Sequence, residues 1–127
     1  MSARRLAAVL GFLAVALGAF GAHGLKAWLD SEDPAFAVKA MDWWRTAALY
    51  HLVHAVAIVA ASRRLADPDA GPVRAGPVAW CFTAGIVLFS GSLYAMALGA
   101  PTRLGMVTPI GGLAFLAGWF ALFARRN

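Results

Sequence analysis

Any chemistry in this chain must come from a short set of side chains: His23, His51 and His54, the hydroxyls of Tyr50, Tyr94, Ser90, Ser92 and Thr108, the guanidinium of Arg45 and the thiol of Cys81. The run Y-H-L-V-H at Tyr50–His54 sets two imidazoles three residues apart. On a helix that spacing allows chelation, and imidazole suits zinc, copper or haem iron. The alternative is that each histidine hydrogen-bonds a neighbouring helix, through Ser90, Tyr94 or a backbone carbonyl. No carboxylate lies inside any apolar run, which counts against a proton pump and a hard-cation site. No nucleophile–base pair and no phosphate-binding glycine loop is apparent, so the sequence predicts neither an enzyme nor a resident cofactor. Tyr50 and Tyr94 read as interhelical hydrogen-bond partners rather than catalysts. Cys81, the only cysteine, reads as a small core residue with no partner for an internal disulfide.

These groups sit in a very apolar chain. Of its 127 residues 61% are hydrophobic and only 13% charged, against about 45–50% and 25% in soluble proteins. A soluble protein this small has too much surface to hide so much apolar material, so the expected solvent is a bilayer. A net charge of +5 could suggest nucleic acid. The basic residues, however, stand at the ends of apolar runs and not in a patch interleaved with aromatics, which points to membrane topology instead.

Four apolar runs can carry the polar groups across, at about 6–25, 44–61, 78–98 and 107–124, and the fold expected is an all-α, four-helix transmembrane bundle forming one domain. The first run, behind Arg4 and Arg5, imitates a secretory signal peptide, but at about 20 residues it is long enough to span. Its small residues Ala7, Gly11, Ala14, Gly18 and Gly21 recur at a spacing that lets a second helix approach closely. Asp33-Pro34 reads as a helix cap followed by proline at the first helical position. A helix from Pro34 either lies at the interface and bends, or runs on into the second span. Trp28, Trp43 and Trp44 fit an aromatic belt there. The Pro- and Gly-rich stretch at 65–77 reads as a surface turn. In the third span Gly85, Ser92 and Gly99 share a face, and Gly91 is a further packing glycine. In the last, Thr108 can cap a helix starting at Pro109, or the helix starts near Arg103 and kinks at Pro109. Gly111 and Gly118 lie on its small-residue stripe. Seven of the lysines and arginines fall on the side of the termini (Arg4, Arg5, Arg63, Arg64, Arg74, Arg125, Arg126) and four on the other (Lys26, Lys39, Arg45, Arg103). The positive-inside rule then places both termini in the cytoplasm.

On a helix Ala47, Tyr50, His51, His54 and Ile58 fall within about 100° of arc. Polar groups so deep must face protein or trapped water. With both termini inside, His23, Arg45, Tyr94 and Thr108 lie in the outer part of the bundle, Tyr50 and His51 deeper, and His54, Ser90 and Ser92 near the midplane. The expected site is therefore one polar intramembrane cluster of His23, Tyr50, His54, Ser90, Ser92, Tyr94 and Thr108, open to the outer face. Gly11, Gly18, Gly21, Gly91, Gly111 and Gly118 are the expected helix-packing positions. Arg45 snorkels to the interface or pairs with an acid such as Asp42.

Four motifs, one per span and in order, carry a resemblance: G-A-F-G-A-H at Gly18–His23, Y-H-x-x-H at Tyr50–His54, L-F-S-G-S-L-Y at Leu88–Tyr94 and T-P-I-G-G-x-x-F-x-x-G-W at Thr108–Trp119. Together they resemble the YgdD family, small bacterial inner-membrane proteins with animal relatives, grouped as a domain of unknown function. The resemblance implies a four-helix membrane protein with no established activity, and a location in the bacterial plasma membrane. The family's motif residues correspond to Gly18, Gly21, His23, Tyr50, His54, Ser90, Gly91, Ser92, Tyr94, Thr108, Pro109, Gly111, Gly112, Gly118 and Trp119. Its pattern often has Gln at the position of His51, which leaves His23 and His54 as the better metal pair.

Three functions fit these readings. One is a binding or transport module, as a homo-oligomer or alone, taking a lipid or small solute at the polar cluster, which predicts a hydrated cavity reaching the outer face between His54 and Tyr94. Another is an accessory or structural subunit of a larger membrane complex, which predicts a filled, dry interior and a small-residue stripe buried against a different chain. The third is a metal or haem protein using His23 and His54. Expected partners are membrane lipids and other membrane protein chains, with no nucleic acid.

Overall fold

The computed structural model describes residues 2–62 and 76–124. Four long helices account for most of them: α1 Ala3–Leu29, α2 Pro34–Ser62, α3 Pro77–Ala97 and α4 Thr102–Phe123, each long and apolar enough to cross a membrane. The Pro- and Gly-rich stretch and the arginines at 63, 64, 74, 125 and 126 lie outside the described residues.

Local sequence explains the ends. Ser2 caps α1, its hydroxyl accepting from the Arg5 N–H at 3.3 Å. Asp33 caps α2, its carboxylate accepting from the Phe36 N–H at 3.0 Å, and Pro34 follows where a missing N–H costs nothing. The interface helix and the second span are thus one uninterrupted element. Its 29 residues make about 43 Å of helix at 1.5 Å per residue, more than the roughly 30 Å of hydrocarbon. The chain passes from α3 to α4 through Gly99, whose φ of +93° suits glycine alone. Helix α4 opens with a 3₁₀ segment, Thr102–Met106, before its α portion, Thr108–Phe123. Pro109 lies in the first α turn and Val107, not Thr108, holds the cap position. Neither sequence alternative for this end is realised in full: the helix does start before Pro109, but as a tighter helix type.

Two helices contain a π-helical turn, Gly21–Leu25 in α1 and Ile86–Ser90 in α3. Such a turn accommodates an extra residue and rotates everything beyond it. The main pairings are α1 with α2 and α3 with α4, joined through α2 and α3; no pairing of that extent connects α1 to α4. The largest core cluster draws on all four helices, with Leu6 and Leu10, Ile58, Phe82 and Phe115 among its members. A second cluster, Leu25, Leu29, Ala40, Trp44 and Ala97, fills the opposite end. Outward-facing side chains such as Phe12, Val56, Val87, Leu116 and Phe120 are exposed and apolar, as a hydrocarbon solvent requires.

Glycine notches set the close approaches. A methyl at Gly21 would collide with the Trp44 ring, one at Gly85 with Phe115, one at Gly111 with the Phe89 backbone, and one at Gly118 with Phe82 at 2.6 Å. Gly11 and Gly18 behave differently, because a methyl at either would meet nothing within 4 Å. The small-residue stripe of α1 is thus left open along those two residues instead of being packed within the chain. At Gly91 a methyl would meet only the Ile86 carbonyl oxygen, at 3.9 Å, so that residue is not a point of close approach either.

The prediction is a sharp split among glycines. Gly111→Ala should lower unfolding stability in mild detergent by about 1–3 kcal/mol, because backbone would have to move. Gly11→Ala and Gly18→Ala should leave the unfolding temperature unchanged or slightly raised. Equal losses at all three positions would contradict this packing.

Candidate functional site

The polar groups of the interior form separate bonded sets and not one pool. The tightest centres on His54 of α2. Its Nδ1 lies 2.7 Å from the Tyr50 carbonyl oxygen, one turn back on the same helix. A carbonyl can only accept, so Nδ1 carries the hydrogen. The indole N–H of Trp119 in α4 points at His54 Nε2 at 3.1 Å. An indole N–H can only donate, so Nε2 supplies its lone pair. The two partners together fix one neutral tautomer and engage both ring nitrogens. The ring stacks on Phe115, with centroids 3.6 Å apart at 12°, and Phe82 closes another side at 5.2 Å. Gly85 and Gly118 are the notches that admit Phe115 and Phe82. His54 therefore has no free lone pair for a metal or haem iron.

Residue 51, the histidine with the weaker claim by sequence, is the less satisfied one. His51 is buried, and its Nδ1 lies 3.4 Å from the Tyr94 hydroxyl of α3, a long contact. The Leu10 carbonyl of α1 is turned toward this ring, but the contact falls short of hydrogen-bond geometry, and Nε2 is buried without a partner. Tyr94 also packs against Trp44, centroids 4.6 Å apart with the rings tilted by 59°. The Trp44 indole donates to the Leu17 carbonyl at 2.8 Å, tying α2 to α1.

Hydroxyls complete the pairings. Ser90, fully buried, donates to the Ala47 carbonyl at 2.9 Å and joins α3 to α2. Ser92 and Thr108 share a bond of 2.7 Å between α3 and α4, while Ser92 also contacts the Phe89 carbonyl at 2.9 Å. Thr108 spends its hydroxyl on this bond, which explains why it does not cap α4. Thr83 donates back to Ala79 at 2.7 Å, within its own helix.

Not every residue of the expected cluster converges. His23, within the π turn of α1, is exposed. It does not join His54, and the proposed pair of histidine ligands is not assembled. Tyr50 is 41% exposed, its ring resting on Phe89 at 4.6 Å; its backbone carbonyl, not its hydroxyl, serves the interior. Arg45 is exposed and makes no ion pair among the described residues. No group of three or more His, Cys, Asp or Glu side chains is arranged to hold a metal among the described residues. Trp119 and Trp44 are polar partners that sequence reasoning passed over. The available signal was that an indole N–H inside a membrane must find an acceptor.

A family profile described as "Protein of unknown function (DUF423)" matches residues 17–112. The chain is similar to the UPF0382 membrane protein YwdK of Bacillus subtilis, 39% identical over 92% of this chain and 89% of that one. A UPF0382 membrane protein of Haemophilus influenzae is 42% identical, with 92% and 86% covered. The UPF0382 inner membrane protein YgdD of Escherichia coli is 38% identical, with 89% and 79% covered. No solved structure matches.

The bonding pattern predicts unequal roles for the two buried histidines. His54→Leu should destabilise the protein by about 1–3 kcal/mol, since it strands the Trp119 N–H. In a double-mutant cycle with Trp119→Phe the coupling should be about 0.6–1.7 kcal/mol. His51→Leu should cost clearly less than His54→Leu, because Nε2 has no bond to lose. Thermal unfolding in one detergent measures all of these, and zero coupling between His54 and Trp119 would refute the assigned tautomer.

Proposed function

The chain belongs to the DUF423 family, the UPF0382 membrane proteins, and from that footing we propose that it is a non-catalytic structural or accessory subunit of the bacterial plasma membrane. Its termini are cytoplasmic, and it works through its outer surface. The observation that carries this reading is the state of the interior hydroxyls and of His54. Ser90, Ser92, Thr108 and both ring nitrogens of His54 are already bonded to a neighbouring turn or helix. A solute site needs donors and acceptors held ready for a guest, whereas these are spent on holding helices together. The outer faces offer more: α4 is the least enclosed of the helices, and it presents Ile110, Leu113, Leu116 and Phe120 outward.

A second reading, a small polar guest inside the bundle, is favoured by one observation. The Nε2 of His51 is buried and unpartnered, and hydrocarbon gives it no substitute for water.

Native mass spectrometry of the protein released from gentle detergent tests both. The expected result is a mass of several copies, or of one copy with an unrelated membrane subunit. A single chain carrying a small polar molecule, lost in His51→Leu, would overturn the subunit reading in favour of the guest. A carboxy-terminal reporter active only on the outer side would overturn the orientation.

A further inference from the structure

The rim between α1 and α2 carries a feature that the bundle's own packing does not use. Two adjoining grooves run along these helices. The deeper one, about 320 Å³, has an apolar floor that includes Gly18, Ala22, Trp44 and Ala48, with Lys26 and Arg45 at its edge. The outer one, about 270 Å³, shares Lys26, Met41 and Arg45 and adds Asp30 and Asp42. The order follows from the antiparallel helices. Gly18, Ala22 and Lys26 follow one another along α1 toward its outer end, and Asp30 caps that end. Arg45 and Asp42 succeed Ala48 along α2 in the same outward direction. The sequence along the groove is therefore apolar, then cationic, then anionic.

Those four charged side chains are exposed and, among the described residues, none is ion-paired. The floor is fixed: Trp44 is buried, bonded to the Leu17 carbonyl at 2.8 Å, and seated against Gly21. Gly18 leaves open space above it. The π turn Gly21–Leu25 lies between the floor and Lys26, and π turns often mark functional positions.

We propose that this groove binds a phospholipid whose head group ends in a primary ammonium, phosphatidylethanolamine being the simplest. An acyl chain lies over Gly18 and Ala22. The phosphate meets Lys26 and Arg45, which suit it as a point charge and as a planar fork of donors. The ammonium meets Asp30 and Asp42. The match is of charge order as well as charge: a cation pair at phosphate depth, then a carboxylate pair farther out. A purely anionic head group would face the two carboxylates unfavourably, and a quaternary ammonium has no N–H to give them. The site is on the outside of the bundle and stands whether or not copies assemble.

The test is lipid competition on the full-length protein, read by native mass spectrometry. The probes are phosphatidylethanolamine, phosphatidylcholine and phosphatidylglycerol of identical acyl chains. The wild type should retain phosphatidylethanolamine about tenfold over either competitor, the ratio that about 1.4 kcal/mol provides. Lys26→Ala with Arg45→Ala should lower retention of all three. Asp30→Asn with Asp42→Asn should keep phospholipid binding but lose the preference. Unfolding temperatures should stay near wild type because all four side chains are exposed. Equal retention of phosphatidylcholine and phosphatidylethanolamine by the wild type overturns the proposal, with no variant needed. So does undiminished phosphatidylethanolamine binding by the Lys26/Arg45 variant.

Discussion

Hydrocarbon supplies no hydrogen bonds, and this one property organises the structure. Helices answer it for the backbone. For side chains the answer has to be found pair by pair, and the pairs found here are those that join helices. Trp44 to Leu17 binds α1 to α2, Ser90 to Ala47 binds α2 to α3, Ser92 to Thr108 binds α3 to α4, and Trp119 to His54 reaches from α4 back to α2. Each bond is modest, about 0.6 kcal/mol on average within membranes. Their value lies in register: a helix that slid by a turn would strand its donor in an apolar layer.

Shape does the rest. Apolar attraction between helices is weak when the solvent is itself apolar, so contact area and fit must carry the packing. The recurring unit is a glycine that receives an aromatic ring or its backbone: Gly21 with Trp44, Gly85 with Phe115, Gly111 with Phe89, Gly118 with Phe82. The unit couples to the polar pairs, since Phe115 and Phe82 wall in His54 and the ring at Gly21 is the one that bonds Leu17. Fit and hydrogen bonding are therefore one device here, and loosening a notch would also release a bond.

How much of this was legible in the sequence follows from the same physics. The number of spans was legible, because the length of the apolar runs sets it. The Asp33 cap and the continuation from Pro34 were legible, because capping is local chemistry. Rotation was not. A helix that is hydrophobic all round has no polar face to set its orientation, and a π turn breaks the regular period on which any such inference rests. His23 lies in such a turn and ends on the surface. Tyr50 shares an arc with His54 yet is 41% exposed, its ring lying over Phe89. Thr108 looked like a cap, but a partner hydroxyl on another helix, Ser92, claimed it. Gly11 and Gly18 belong to the same stripe as Gly21, but nothing in a spacing says which members have a neighbour.

A bundle this small that spends its polar groups on cohesion has little left inside with which to recognise anything. Its chemical distinctiveness is displaced to the ends of the helices, where water and head groups restore the strength of charge. In this chain that end is the one where α1 passes to α2. Lys26, Arg45, Asp30 and Asp42 stand there unpaired among the described residues, while the nearby core around Trp44 and Leu25 is closed. All four line one groove, yet none closes an ion pair with another among the described residues. Charges left unpaired beside a closed apolar floor can still answer a dipolar head group, which charges already neutralised by one another could not.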